Sequence, residues 1–456
     1  MARFPPGPSS VEAFRGMLPA RGMSGFPVFF RKTTQRYGPI ASSRVGRQRF
    51  YYVNDPPAIE ELLVTNGRTF VKGRGTQRLE RLLGKGLLTS NGALHLRQRR
   101  LVQPAFHRER IASYAAAMVA RADRFADGLR ADQSLEMDAA MSRLTLAITA
   151  ETLFGANVDA DAETIGRAMH QAMVSFPISL SPIGELLDHL PMVPVVKRFL
   201  AARAELDAIV YRLVDARRGR ERRAGESEQR DVLGMLLAAG DGPDGMDVTQ
   251  IRDEVMTIFL AGYETTARAL TWTWWLLAQH PGIADRLDVE LAEVLAGRAP
   301  AIDDLPRLRF THDVIAESMR LYPPAWVVGR RAAESTTIGS WLVPQGSIVL
   351  ASQWITHRDP RFWRQPDAFR PERWSNGELD GQPKFAYFPF GGGTRVCVGE
   401  GFAWTELVLV LATIARRWRF AATPETPSLT PQPSVTLRPG APVGLVARPR
   451  RVAVDV

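Results

Sequence analysis

Cysteine is almost missing from this chain: there is one in 456 residues, Cys397. A disulfide needs a second thiol, and a structural zinc or iron–sulfur site needs several, so both are excluded by count. The seven histidines make no Cys/His cluster with it. A lone thiol carries no disulfide framework, and a reducing, cytoplasmic setting is the simpler expectation. Also lacking is any apolar stretch of the ~20 residues that a spanning helix requires. The start, Met1-Ala2-Arg3-Phe4-Pro5-Pro6-Gly7-Pro8, has no apolar signal-peptide core, so a soluble protein without a membrane anchor is expected. No long Gly/Ser-rich or Pro-rich linker interrupts the chain. Its length alone would suggest about three domains, but hydrophobic residues, 45% of the total and evenly spread, favour one.

Charge is lopsided, with a formal net value of +10 and a pI near 10.1. The densest basic run is Arg217-Arg218-Gly219-Arg220-Glu221-Arg222-Arg223. It has no interleaved aromatics and is followed by Glu226, Glu228 and Asp231, which argues against nucleic acid and for a solvated helix end or interhelical loop. A basic surface would also steer an acidic protein partner.

What is present concentrates in a few places. Cys397 lies in Phe390-Gly391-Gly392-Gly393-Thr394-Arg395-Val396-Cys397-Val398-Gly399, where glycines permit positive φ and close approach of the backbone to a flat ligand. Residues 400–407 read as a helix opening just after the sulfur, whose free N–H groups should lower the thiol pKa. Axial metal ligation, nucleophilic catalysis and an inert buried thiol all remain open at this point.

The stretch 247–280 reads as one long helix: Asp247 with Gln250 resembles a capping box, Ile251, Val255, Ile258 and Phe259 recur at helical spacing, and Pro281-Gly282 stops it. Its middle, Ala261-Gly262-Tyr263-Glu264-Thr265-Thr266, breaks local rules, as functional sites tend to. Thr265 can bond its hydroxyl to the Ala261 carbonyl and widen the turn, leaving a groove. Further on, Glu317 and Arg320 share a helix face around 313–320, which Leu321-Tyr322-Pro323-Pro324 ends. His95 and Arg99 are one helical turn apart in His95-Leu96-Arg97-Gln98-Arg99-Arg100, a segment that could be no more than a basic helix face.

Phe390, Gly393, Arg395, Cys397 and Gly399 resemble the haem-binding loop of the cytochrome P450 superfamily, the haem-thiolate monooxygenases, and the resemblance runs from about residue 5 to the C-terminus. It implies a mainly α fold with a small β-rich lobe and the long helix crossing over the haem. One domain over 1–456 is implied, with 1–8 a proline-rich hinge. Cys397 takes the role of proximal iron ligand; Arg395, His95, Arg99 and Arg330 those of propionate partners, with Arg331 leaving that register open by one; Phe390 and Gly391 belong to the haem-binding loop. Glu264-Thr265 matches the family's acid–alcohol pair for proton delivery, beside Ala261 and Gly262. Arg373, in Phe369-Arg370-Pro371-Glu372-Arg373-Trp374, would join Glu317 and Arg320 in a buried structural network.

The resemblance further implies haem b, and electrons from NAD(P)H through separate proteins, a ferredoxin and its reductase or a flavodoxin-type donor. A soluble bacterial type and a monomer are expected. By position the pocket would draw on Leu87, Leu88, Met169, Met173, Phe176, Phe259, Ala261, Trp326, Val327 and Val435, nearly all apolar, for a fatty acid, terpenoid or other natural product. A haem-thiolate peroxygenase or isomerase would not need Glu264-Thr265, a haem-based sensor would bind ligands without turnover, and a cysteine hydrolase would need a nucleophile signature that Cys397 lacks.

Overall fold

In the computed structural model the described residues are 3–18, 25–180, 192–224, 231–240, 245–424 and 428–450, without the side chains of 174–180, 221–224 and 240. The architecture is mainly helical, with a five-stranded mixed sheet and smaller sheets to one side.

The long helix runs over Val248–Gln279 and is buried on nearly every face, as expected of a helix in the middle of a core. Asp247 caps it, accepting from the Gln250 N–H at 2.7 Å. Pro281 both prevents its continuation and opens the next helix, Pro281–Leu295, at the first position, where a missing N–H costs nothing. Helix Met137–Phe154 lies directly against it: the Thr145 hydroxyl donates to the Tyr263 carbonyl at 3.0 Å, and Gly262 sits on Thr149, whose side chain would meet any added Cβ. The helix after the cysteine, Glu400–Ala415, packs on Arg108–Asp127, with Phe402 edge-on to Tyr114.

The larger sheet has strand order Ile40–Val45, Gln48–Val53, Ile348–Ala351, Val328–Ala332, Phe70–Lys72. Residues 5 and 6 are bonded to the sheet. The Ser42 N–H donates to the Pro6 carbonyl at 3.0 Å and its hydroxyl to the Pro5 carbonyl at 2.9 Å, so extended proline-rich backbone covers the edge strand. The basic run also departs from expectation. It closes helix Pro194–Ala224, but Arg217 is buried and paired with Asp231 at 2.9 Å rather than solvated.

Candidate active site

The cysteine loop is held by its own backbone: the Cys397 N–H donates to the Phe390 carbonyl at 3.0 Å and that of Val396 to Gly393 at 3.1 Å. Gly391 and Gly393 have φ of 76° and 67°, which favours glycine. A Cβ on Gly393 would overlap the Leu63 carbonyl and one on Gly392 the Phe385 ring, whereas Gly391 faces open space. At 392 and 393, therefore, glycine is demanded by a neighbouring chain segment, and only Gly391 keeps the expected room for a ligand. Phe390 leans on Trp404, ring centroids 5.9 Å apart.

Cys397 is exposed, yet protein surrounds it densely enough for burial to push its thiol pKa up. Both hold for a sulfur that opens on an internal cavity. The direction reverses the sequence-based expectation of a lowered pKa. The Gly399 N–H does act downward, but burial outweighs it, and the Glu400 carboxylate in the first helical turn adds to burial. Among the described residues no group of three or more His, Cys, Asp or Glu side chains is placed to hold a metal; a metal at Cys397 would have to bring its other ligands.

On one side of this loop, cations gather, and among the described residues the groups acting on Lys72 and His95 are other cations. Lys72, His95 and Arg330 are buried, and Arg99 and Arg395 half-buried. Arg99 donates to the Val396 carbonyl at 2.8 Å, and Arg395 to the Ser90 carbonyl at 3.1 Å and Asn91 Oδ1 at 2.9 Å. All these acceptors are neutral. Lys72 is held well below its ordinary pKa by burial and then by Arg330, Arg395 and Arg99; His95 is lowered to about 4 by burial and the same cations with Lys72. Strand register places Lys72 directly opposite Arg330, a like-charge pair that destabilises a sheet unless something negative lies between. Arg330 is buried and Arg331 exposed.

On the long helix the Thr265 hydroxyl donates to the Ala261 carbonyl at 2.7 Å, as expected. The helix stays continuous there, however, so the turn is not broken. Ala261 is exposed and Gly262 and Thr265 half-buried in an otherwise sealed core helix, which marks a cavity against this turn. Glu264, 1% exposed, points elsewhere. Its Oε1 accepts from Thr436 Oγ1 at 2.9 Å and from Arg438 Nε at 3.2 Å, with Arg438 Nη2 closer still, while Oε2 has no partner. Adjacent helix positions differ by about 100°, and the carboxylate uses that angle to reach the C-terminal hairpin.

A family model described as Cytochrome P450 matches residues 5–444. The chain belongs to the cytochrome P450 family. It is 37% identical over 446 residues to cyclooctatin synthase of Streptomyces melanosporofaciens, covering 95% of each chain. With the same organism's cyclooctat-9-en-7-ol 5-monooxygenase it shares 36% identity over 88% of this chain and 86% of that one. With pentalenene oxygenase of Streptomyces avermitilis it shares 32% over 93% and 92%. This P450 is thus a monooxygenase, and its family implies a thiolate-ligated haem. The residues fit that group: a cluster of mutually repelling cations would neutralise two propionates, and an exposed thiol would meet an iron that arrives with four ligands of its own.

In this P450, Glu317, Arg320 and Arg373 are each 0% exposed. Glu317 receives Arg320 Nε and Nη2, both at 2.8 Å, and Arg373 Nε at 3.0 Å, while Arg320 Nη1 also donates to the His357 and Pro366 carbonyls.

Sequence reasoning missed Lys72, Asn91, Thr436 and Arg438. Lys72 ends a three-residue strand and Arg438 lies 174 positions from Glu264, so neither had a local signal; only the absence of a counter-charge finds Lys72. The apolar pocket positions scatter. Phe259 is core, packed on Phe154 and Tyr263 at 5.6 and 6.2 Å, and Met169 and Met173 are buried likewise. Trp326 donates to the Ser434 carbonyl at 2.9 Å inside an aromatic cluster that Val327 flanks. Leu87, Leu88 and Val435 pack at the edges of the main core, and the side chain of Phe176 lies outside the described residues.

Lys72→Met should act with opposite signs on the two forms of the protein. Removing an uncompensated buried ammonium should stabilise haem-free protein by about 1–3 kcal/mol, yet speed haem loss to apomyoglobin. Urea unfolding of the haem-free form and the haem-transfer rate check the two halves separately.

Proposed function

We propose that this P450 hydroxylates an apolar terpenoid at a C–H bond, with Cys397 as the thiolate ligand of haem b. The observation that carries the haem site is the gathering of Lys72, Arg99, Arg330 and Arg395 together with His95 beside the loop that presents Cys397, with neutral hydrogen-bond acceptors for Arg99 and Arg395. The substrate class is supported by the relatives, one named for the 5-monooxygenation of cyclooctat-9-en-7-ol and another for the oxygenation of pentalenene. Electrons would come from NAD(P)H through a ferredoxin and its reductase, for which the basic surface offers steering.

When bound, thiolate-ligated haem supplies dioxygen activation and oxygen insertion. The chain's own residues do the rest. Lys72, Arg99, Arg330 and Arg395 would bind the propionates, and His95, neutral near pH 7, can still donate one N–H. Thr265 commits its proton to the Ala261 carbonyl, so its oxygen presents lone pairs to the cavity and can hold a proton donor in place. Glu264 is the acid behind it. It is anchored through Oε1 by Arg438 and Thr436, and its Oε2 has no partner among the described residues.

Two measurements test this reading. Titration with cyclic terpene hydrocarbons and alcohols, read as a low- to high-spin shift, should find saturable ligands among them, and reconstitution with ferredoxin and reductase should give monohydroxylated product. Fatty acids giving the shift while all terpenes are silent would overturn the substrate class. Thr265→Ala should keep the carbon monoxide spectrum and ligand shifts but lower product per oxygen consumed several-fold; unchanged coupling would remove Thr265 from proton delivery.

A further inference from the structure

We propose that Arg252, Asp253 and Glu254 are positioning residues for the substrate, three consecutive side chains that lock residues 82–90 against the long helix and so fix the chain segment beside the cavity at Ala261. The inference rests on the haem-monooxygenase reading, since it takes the cavity at Ala261 to be the substrate's.

The three side chains reach the segment in turn. Arg252 Nη2 donates to the Leu82 carbonyl at 2.8 Å, Asp253 Oδ2 accepts from the Lys85 N–H at 2.7 Å, and Glu254 Oε2 accepts from the Leu87 N–H at 3.0 Å. The backbone lies so close that a Cβ on Gly84 would overlap the Asp253 carboxylate and one on Gly86 the Thr257 hydroxyl; Gly84 also has a φ of 61°. Its other side is tied as well. Gln98 donates to the Lys85 carbonyl at 2.6 Å and accepts from the Ser90 hydroxyl, and the Ser90 carbonyl receives Arg395 from the cysteine loop at 3.1 Å. Arg252 Nε in turn holds Asp207 of helix Pro194–Ala224 at 2.7 Å.

Energetics argue that this arrangement serves geometry rather than bulk stability. Arg252, Asp253 and Glu254 are 2%, 8% and 0% exposed, and well-packed apolar residues of similar volume are commonly as stabilising as buried charges or more so. Helical phase supplies the functional link. Glu254, Thr257, Ala261 and Thr265 fall within about 80° of one another around the helix, and Glu254 is roughly 10 Å along the axis from Ala261. Glu254, and with it the Leu87 end of the locked segment, thus lies on the helix face that opens to the cavity, about two turns from Ala261. Burial, Asp253 acting in the same direction, pushes the Glu254 carboxyl up to about 8, so near pH 7 a glutamine reproduces its neutral state and keeps the acceptor for Leu87.

The test compares two iron-binding probes, imidazole, which is too small to touch the walls, and clotrimazole, which must fill the pocket, by the Soret shift of ferric holoenzyme. Trypsin cleavage after Lys85, whose side chain is exposed, reports the segment directly. Glu254→Leu should leave the imidazole Kd unchanged, weaken clotrimazole about tenfold, as one lost hydrogen bond would, and speed cleavage at Lys85; Glu254→Gln should restore wild-type values. Should Glu254→Leu fail to fold, Gln98→Leu removes the opposite tie and is expected to give the same pattern. Equal clotrimazole affinity and cleavage in wild type and a folded variant would overturn the proposal alone. A wild-type protein whose Soret band imidazole does not shift would overturn the haem-site reading and this inference with it.

Discussion

Cys397→Ala is expected to abolish the red-shifted Soret band of the dithionite-reduced carbon monoxide complex and, with it, all reconstituted turnover. No second cysteine exists to substitute for it, and the guanidinium groups of Arg99, Arg330 and Arg395 beside the loop offer iron no lone pair. The protein itself should still fold. The thiol sits where burial disfavours its ionised form, so loss of the sulfur costs haem-free protein little, whereas loss of a thiolate that donates to iron removes the electronic push on which oxygen cleavage relies. Circular dichroism and the carbon monoxide difference spectrum separate the two effects. A variant that retained the red-shifted band would mean that Cys397 is not the ligand.

Glu317→Gln should be the most damaging single change to the fold. Its carboxylate takes charged N–H groups from Arg320 and Arg373, the Trp374 indole N–H at 3.1 Å and the Arg370 backbone N–H at 2.9 Å, all at zero exposure for the three charged partners. An amide of the same shape leaves two buried guanidinium groups facing carbonyls and one another through a neutral partner, apart from the Glu378 contact of Arg373. Breaking a buried pair in this way costs about 3–5 kcal/mol, against a total stability of about 5–15 kcal/mol. We expect largely insoluble or haem-free protein, and for whatever folds, a urea midpoint displaced by an amount corresponding to at least about 3 kcal/mol. Arg373→Lys should not rescue it, since an ammonium cannot reproduce the forked geometry. A midpoint unchanged within about 0.5 kcal/mol would show that the network contributes nothing to stability.

Much of the site was legible because its parts are local. The loop around Cys397, the helix over 248–279 with its Asp247 cap, and the Thr265 to Ala261 bond all depend on residues within a few positions of each other, and local backbone physics acts over that range. Helix ends at Gln279 and Leu321 were likewise marked by the prolines that follow them. Illegible parts were those where a residue's meaning comes from a distant partner. Phe259 has the spacing of a pocket residue, but Phe154 from another helix covers it. Arg217 has the look of a solvated cation until Asp231 folds onto it. The sign of the Cys397 shift depended on how much protein lies around the sulfur, and helix position alone pointed the wrong way.

The amino-acid order by itself determined the single sulfur, its glycine-rich loop and the long helix with its Thr265 to Ala261 bond, because covalent spacing and helical phase suffice for each; the acid–alcohol role of Glu264-Thr265 is implied only by the family resemblance. Tertiary structure alone decided that Lys72 stands opposite Arg330 within a ring of cations, that Arg438 captures Glu264, and that Arg252, Asp253 and Glu254 grip residues 82–90. Electrostatic and hydrogen-bond energies depend on distance in space and on exclusion of water, and neither exists until segments remote in the chain have packed together.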